Sequence, residues 1–101
     1  MDRGRPCLIS APSGAGKTTI VRQLVGMLPR LVHSVSYTTR PIRSGERDGR
    51  DYHFVDQETF DAMVARDAFV EWAVVHGQQY GTPRDPLERW LANGTDVLLD
   101  L

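Results

Sequence analysis

Ser10-Ala-Pro-Ser-Gly-Ala-Gly-Lys-Thr-Thr19 follows a short apolar run, Pro6-Cys-Leu-Ile-Ser10. A stripe at helical spacing comes after it: Ile20, Val21, Leu24, Val25 and Leu28. Strand, glycine loop, helix is the setting in which Gly16-Lys17-Thr18 reads as a phosphate-binding loop. Successive backbone N–H groups form a concave nest, and the helix opening near Gly16 points its positive end at the phosphates. Lys17 then reaches the β- and γ-phosphates, and the Thr18 hydroxyl ligates Mg²⁺. Ala11, Pro12, Ser13, Gly14 and Ala15 complete the cradle. Ala11 stands where the first glycine is usual, which is tolerated if its φ stays negative. The competing reading, a plain turn between strand and helix, leaves Gly-Lys-Thr at the helix start without a reason.

The 101 residues amount to one domain or less, with 41% hydrophobic and 25% charged residues, an ordinary globular composition. A net charge of −1 gives no overall field toward nucleic acid or an anionic membrane, so any polyanion site must be local. The lone Cys7 cannot form an internal disulfide. It is expected to be a small buried hydrophobe in a reducing compartment. No signal peptide or membrane span is legible, and the expected setting is the cytoplasm. Asp96-Val-Leu-Leu-Asp-Leu101 reads as an apolar strand. A parallel strand buried on both faces needs neighbours, so the chain reads as truncated within a larger α/β domain.

The first helix is expected over residues 16–28, ended by Pro29. Ser34-Val-Ser-Tyr-Thr-Thr39 reads as one strand, in which Ser36, Thr38 and Arg40 share a face. That polar row either lines a site or faces solvent. Residues 41–51 form a loop; Arg40, Arg43, Arg47 and Arg50 fall within eleven residues beside Glu46, Asp48 and Asp51, mixed charge of the kind found in solvated loops. Tyr52-His-Phe-Val55 is a short strand, and Asp56 caps a helix to about Arg66 with Phe60, Met63 and Val64 inward. Phe69-Val-Glu-Trp-Ala-Val-Val75 is a strand with a carboxylate in an apolar run. An exposed edge strand would account for Glu71; burial would instead require a ligand with N–H donors. Gly77-Gln-Gln-Tyr-Gly81 is a turn and short strand. The last helix opens at Thr82-Pro83 or Asp85-Pro86, buries Leu87, Trp90 and Leu91, and stops at Asn93-Gly94.

Seven segments in this order resemble the guanylate kinase family. They are residues 10–18, Ser34-Val-Ser-Tyr-Thr-Thr-Arg40, Arg43-Ser-Gly-Glu46, Gly49-Arg-Asp-Tyr-His-Phe54, Phe69-Val-Glu-Trp-Ala73, Tyr80-Gly-Thr82 and Gly94-Thr-Asp-Val-Leu-Leu-Asp100. The family usually reads Thr-Thr-Arg-x-Pro-Arg, whereas here Pro41 directly follows Arg40 and the two arginines keep their spacing. The resemblance implies an α/β fold of the P-loop NTPase type. It has a parallel sheet with flanking helices and a small mixed-sheet domain that binds the nucleoside monophosphate. Residues 1–33 and 82–101 would form the core, and residues 34–81 the monophosphate domain.

The resemblance further implies ATP-dependent phosphorylation of GMP with Mg²⁺. Arg40, Arg43, Tyr52 and Tyr80 would clamp the acceptor phosphate; Ser36, Glu71 and Thr82 would read guanine. Lys17, Arg40 and Arg43 would stabilise the transferring group, and Thr18 and Asp100 would serve the metal. Asp100 otherwise reads as a strand-end residue in a turn. Partners beyond the two nucleotides are not implied, and residues 1–101 alone are expected to be inactive. Two other classes compete: a catalytically inactive guanylate kinase-like interaction module, and a ribose bisphosphate phosphokinase relative. An intact Gly16-Lys17-Thr18 argues against the first, and Glu71 with Ser36 and Thr82 against the second.

Overall fold

The computed structural model describes residues 3–9 and 15–100; the side chains at positions 9, 15–18 and 100 are outside the description. Among the described residues ten elements follow one another. They are β1 (Pro6–Ile9), α1 (Ala15–Met27), β2 (Leu31–Ser34), β3 (Tyr37–Thr38), β4 (His53–Phe54), α2 (Gln57–Ala65), β5 (Phe69–Val75), β6 (Gln78–Pro83), α3 (Arg84–Ala92) and β7 (Asp96–Asp100). The chain divides into two compact units, Met1–Ser34 with Pro86–Leu101, and Val35–Asp85.

The first unit is built on a three-stranded parallel sheet in the order β1-β7-β2. The run Val97-Leu-Leu99 takes the central strand because only that position is covered from both sides. Val97 and Leu98 are buried accordingly. Val97 packs with Leu87 and Leu91 of α3, and Leu98 with Val21 of α1 and Leu31 of β2. Helix α3 ends in a Schellman turn. Gly94, at φ +78°, donates to the Leu91 carbonyl and Thr95 to the Trp90 carbonyl.

Two expectations fail in this unit. Cys7 is exposed rather than buried, and Leu8 beside it is 63% exposed. Both lie on β1, an edge strand. The α1 stripe is also narrower than its spacing suggests. Val21 is buried and Leu24 and Val25 pack against its cluster, but Ile20 and Leu28 are exposed. A three-stranded sheet gives a helix only a narrow platform.

The second unit is a four-stranded mixed sheet in the order β4-β3-β6-β5, with α2 on one face. Asp56 caps α2 by accepting from the Thr59 N–H at 2.8 Å, which holds its carboxyl below its ordinary range. Phe60 of α2 is fully buried; its ring lies 4.8 Å from Phe69 and edge-on to Trp72 at 6.1 Å. Strands β5 and β6 form a hairpin through His76 and Gly77, both at positive φ, the geometry of a two-residue turn matched to strand twist. Strand β6 is six residues long, more than the short strand expected from sequence.

The single strand expected over residues 34–39 is two strands in two sheets. Ser34 pairs with Leu99 in the parallel sheet, whereas Tyr37 pairs with His53 and Gly81 in the mixed one. The alternation of buried and half-buried residues runs unbroken through 34–40, so periodicity carries no mark of the break.

Candidate functional site

The sheet registers of the second unit put three residues in one row. Tyr37 faces Gly81 and Thr38 faces Tyr80 across β3 and β6. One step further along the same register places Ser36 opposite Thr82. Thr82 in turn pairs with Glu71 across β6 and β5. Ser36, Thr82 and Glu71 therefore share a face, and Thr38 and Tyr80 lie two residues along on that face. The opposite face carries Tyr37, Gly81 and Trp72 toward the α2 core.

Plain alternation along β5 would put Phe69 and Glu71 on one face. A register shift between them breaks that alternation. Phe69 then turns into the core against Phe60 while Glu71 emerges on the polar face. Gly81 permits this arrangement, since a Cβ there would stand 2.7 Å from the Phe69 ring. Of the two accounts the sequence left open, the edge strand is the one observed: β5 is an edge strand and Glu71 is exposed. Its carboxylate is desolvated only when something covers it.

Ser36, Thr38 and Arg40 are all buried, so the polar row does not face solvent. The Thr38 hydroxyl donates to the Gln79 carbonyl at 2.9 Å and accepts from the Arg40 N–H at 3.1 Å. That bond ties the end of β3 to the start of the arginine loop.

Arg40 is the centre of a constrained cluster. Its Nη1 donates to Glu46 Oε1 at 3.0 Å and its Nη2 to Glu46 Oε2 at 2.8 Å. Nη1 also donates to the Pro41 carbonyl at 3.1 Å. The guanidinium stands 5.2 Å from the Tyr52 ring centre and 5.8 Å from that of Phe54. Tyr52 meets Tyr80 edge-on at 5.8 Å. Glu46 holds the Arg40 charge well above the ordinary arginine range; burial opposes this, and the Tyr80 hydroxyl adds to it. The same pairing, aided by the Arg43 N–H, lowers the Glu46 carboxyl against its own burial.

Residues 41–51 are not the plain solvated loop their mixed charge suggests. Asp51 is buried; it accepts from the Arg47 N–H at 2.8 Å and from Arg50 Nε at 3.0 Å. Asp48 accepts from the Phe54 N–H. Glu46 and Asp51 are organising groups of this loop that the mixed-charge reading does not single out. Both lie in segments that carry the family resemblance, but spacing alone gives them no role, since an acid one to six residues from several arginines also fits a surface loop. Arg43, by contrast, is exposed, and its guanidinium has no ion-pair partner among the described residues.

The phosphate-loop residues Ala11, Pro12, Ser13 and Gly14 lie outside the described residues. Ala15, Gly16, Lys17 and Thr18 form the first turn of α1, one residue earlier than expected. Asp100 ends β7 in register with Ile9, the last residue of β1. Both strand ends thus reach the same carboxyl edge of the parallel sheet, the edge from which the chain enters α1. Among the described residues no three His, Cys, Asp or Glu side chains cluster as a metal cage.

The guanylate kinase family model matches residues 3–101. The chain belongs to the guanylate kinase family. It is 60% identical over 99 residues to a guanylate kinase of Rhodopseudomonas palustris (strain BisB5), covering 98% of this chain and 45% of that protein. It is 57% identical over 94 residues to one of Syntrophotalea carbinolica, covering 93% of this chain and 45% of the relative. The crystal structure of guanylate kinase from Anaplasma phagocytophilum superposes with a TM-score of 0.85 at 38% identity, covering 99% of this chain and 50% of that one. The chain thus spans about half the length of the guanylate kinases it matches. No helix among the described residues is long and apolar enough to cross a membrane.

Proposed function

We propose that this chain carries the donor-phosphate loop and the acceptor site of an enzyme that transfers phosphate from ATP to GMP. The observation that carries the reading is the row Ser36–Thr82–Glu71 on one sheet face, with Arg40, Tyr52 and Tyr80 clustered beside it. A purine nucleotide has a polar base edge at one end and a phosphate at the other, and the face offers groups for each.

Guanine presents N1–H and an exocyclic NH₂ side by side, and one carboxylate accepts both. Adenine has no such donor pair. Adenine over Glu71 would strip water from the exposed carboxylate and return nothing, a loss of about 1–3 kcal/mol for an unsatisfied polar group and more for a charge. At the phosphate end, Arg40 supplies orientation because its charge is already balanced by Glu46. Arg43, without an ion-pair partner among the described residues, supplies charge, and Tyr52 and Tyr80 supply neutral donors.

On the donor side, the first turn of α1 and Lys17 are proposed to hold the triphosphate. Thr18 and Asp100 would hold Mg²⁺, which when bound neutralises phosphate charge. The acceptor oxygen is already anionic, so these residues have to align and neutralise rather than remove a proton. Residues 35–85 would then be the GMP-binding unit, and an enzyme of free nucleotides fits a cytoplasmic setting.

The test is a coupled ADP-release assay on the full-length protein with GMP and AMP. GMP should be strongly preferred. Glu71→Gln should lower kcat/KM for GMP by roughly 30-fold, equivalent to about 2 kcal/mol, with little change for AMP. An unchanged GMP value would remove Glu71 from base recognition.

A further inference from the structure

We propose that Glu46 is a positioning residue that makes Arg40 a one-edged phosphate fork and sets its place relative to Arg43. The inference rests on the reading of Arg40 as part of the acceptor clamp. A guanidinium has five N–H donors on a rigid plane. Glu46 takes one donor from each Nη, and the Pro41 carbonyl takes the other Nη1 hydrogen. Those bonds leave Nε–H and one Nη2 hydrogen, parallel along one edge, with the Tyr80 hydroxyl as the guanidinium's further hydrogen-bond partner and itself a neutral donor to phosphate. That edge matches two oxygens of a phosphate. The Tyr52 and Phe54 rings fix the plane, and Glu46 fixes the rotation within it.

Glu46 also closes on the second arginine. Its Oε1 accepts from the Arg43 N–H at 2.8 Å, and its own N–H donates to the Arg43 carbonyl at 3.0 Å. Gly45, at φ +85°, supplies the left-handed residue this short turn requires. One carboxylate thus ties the Arg40 side chain to the Arg43 backbone. Without it, Arg40 would be a buried cation free to swing among rotamers, and the two arginines would lose their common frame.

Glu46→Gln keeps the size but turns an NH₂ toward the arginine donors, so the two-pronged pairing is lost. In the full-length protein, KM for GMP should rise about tenfold, with KM for ATP and kcat changed less than about threefold. In ¹⁵N spectra, hindered rotation of the Arg40 Nη groups in the wild type should become fast in the variant. Unchanged KM for GMP, or a fall in kcat alone, would overturn the proposal. So would unaltered Arg40 rotation. If the variant fails to fold, the wild type decides: fast Nη rotation overturns the proposal, and slow rotation with GMP shifting the Arg40 Nε signal supports it. Absence of GMP turnover in the wild type would instead count against the proposed reaction, leaving the arginine spectra to judge Glu46.

Discussion

Glu46 links the chemistry of single side chains to the pH response of the protein. Its carboxyl is lowered from the ordinary 4.5, first by the Arg40 bond and then by the Arg43 N–H. A lowered folded value means the unfolded chain binds the proton more readily. The stabilisation is therefore complete above about 4.5 and lost as pH falls through the lower folded value. Denaturation midpoints of the wild type should drop on acidification through that window, and Glu46→Gln should flatten the dependence there. Asp56, lowered by its Thr59 cap, acts with the same sign and gives the residual slope. An identical slope in wild type and variant would mean that the pair contributes nothing to folding. Arg40 has no counterpart at the basic end, because its raised value keeps it charged throughout.

Strand β5 carries an irregularity that separates two of its side chains. Were the strand regular, Phe69 and Glu71 would point the same way, and either the core would lose a ring or the polar face its carboxylate. The register shift gives each its own side, and Gly81 makes room for the ring. A methyl at Gly81 would collide with three ring atoms of Phe69 at 2.7–2.8 Å. Both residues are buried, so relief requires moving the ring or the strand. Gly81→Ala should cost about 1–3 kcal/mol in denaturant unfolding, the usual range for overpacking. It should also weaken GMP binding, because Thr82 and Glu71 are held by the same pairing. A neutral substitution would show that Phe69 has somewhere else to go. The edge beyond β5, with Val70, Trp72 and Val74 exposed, is apolar for a strand flank, whereas the β4 edge is short.

At the scale of the whole chain, the described buried apolar residues fall into separate clusters. Phe60, Met63 and Phe69 form one cluster; Val21, Leu31 and Leu98 form another, with no residue in common. Phe60→Leu and Leu98→Val should each cost about 1–2 kcal/mol. Their effects should add to within about 0.5 kcal/mol, as independent sites do. A larger coupling energy in the double variant would show the clusters to be linked. The sequence alone determined most of the element order. Hydrophobic spacing marked α1 and α2, Asp56 marked a start, and Asn93-Gly94 marked a stop, because caps and periods are local properties. It also marked the candidate residues on which the proposed nucleotide site rests, since Gly-Lys-Thr after an apolar strand and hydroxyls at alternate positions are local patterns too. What it left undecided depends on partners distant in sequence. The break after Ser34 is set by which strands its two halves pair with, Leu99 on one side and Gly81 on the other. Within the sheet that these 101 residues form, Cys7 is exposed because β1 stands at its edge, which only sheet order assigns. The split between Phe69 and Glu71 is a register event between two strands, and register does not appear in either strand read alone. Glu46 gained a role only when Arg40 folded back on it, since an acid near arginines is a solvated loop until burial removes the water.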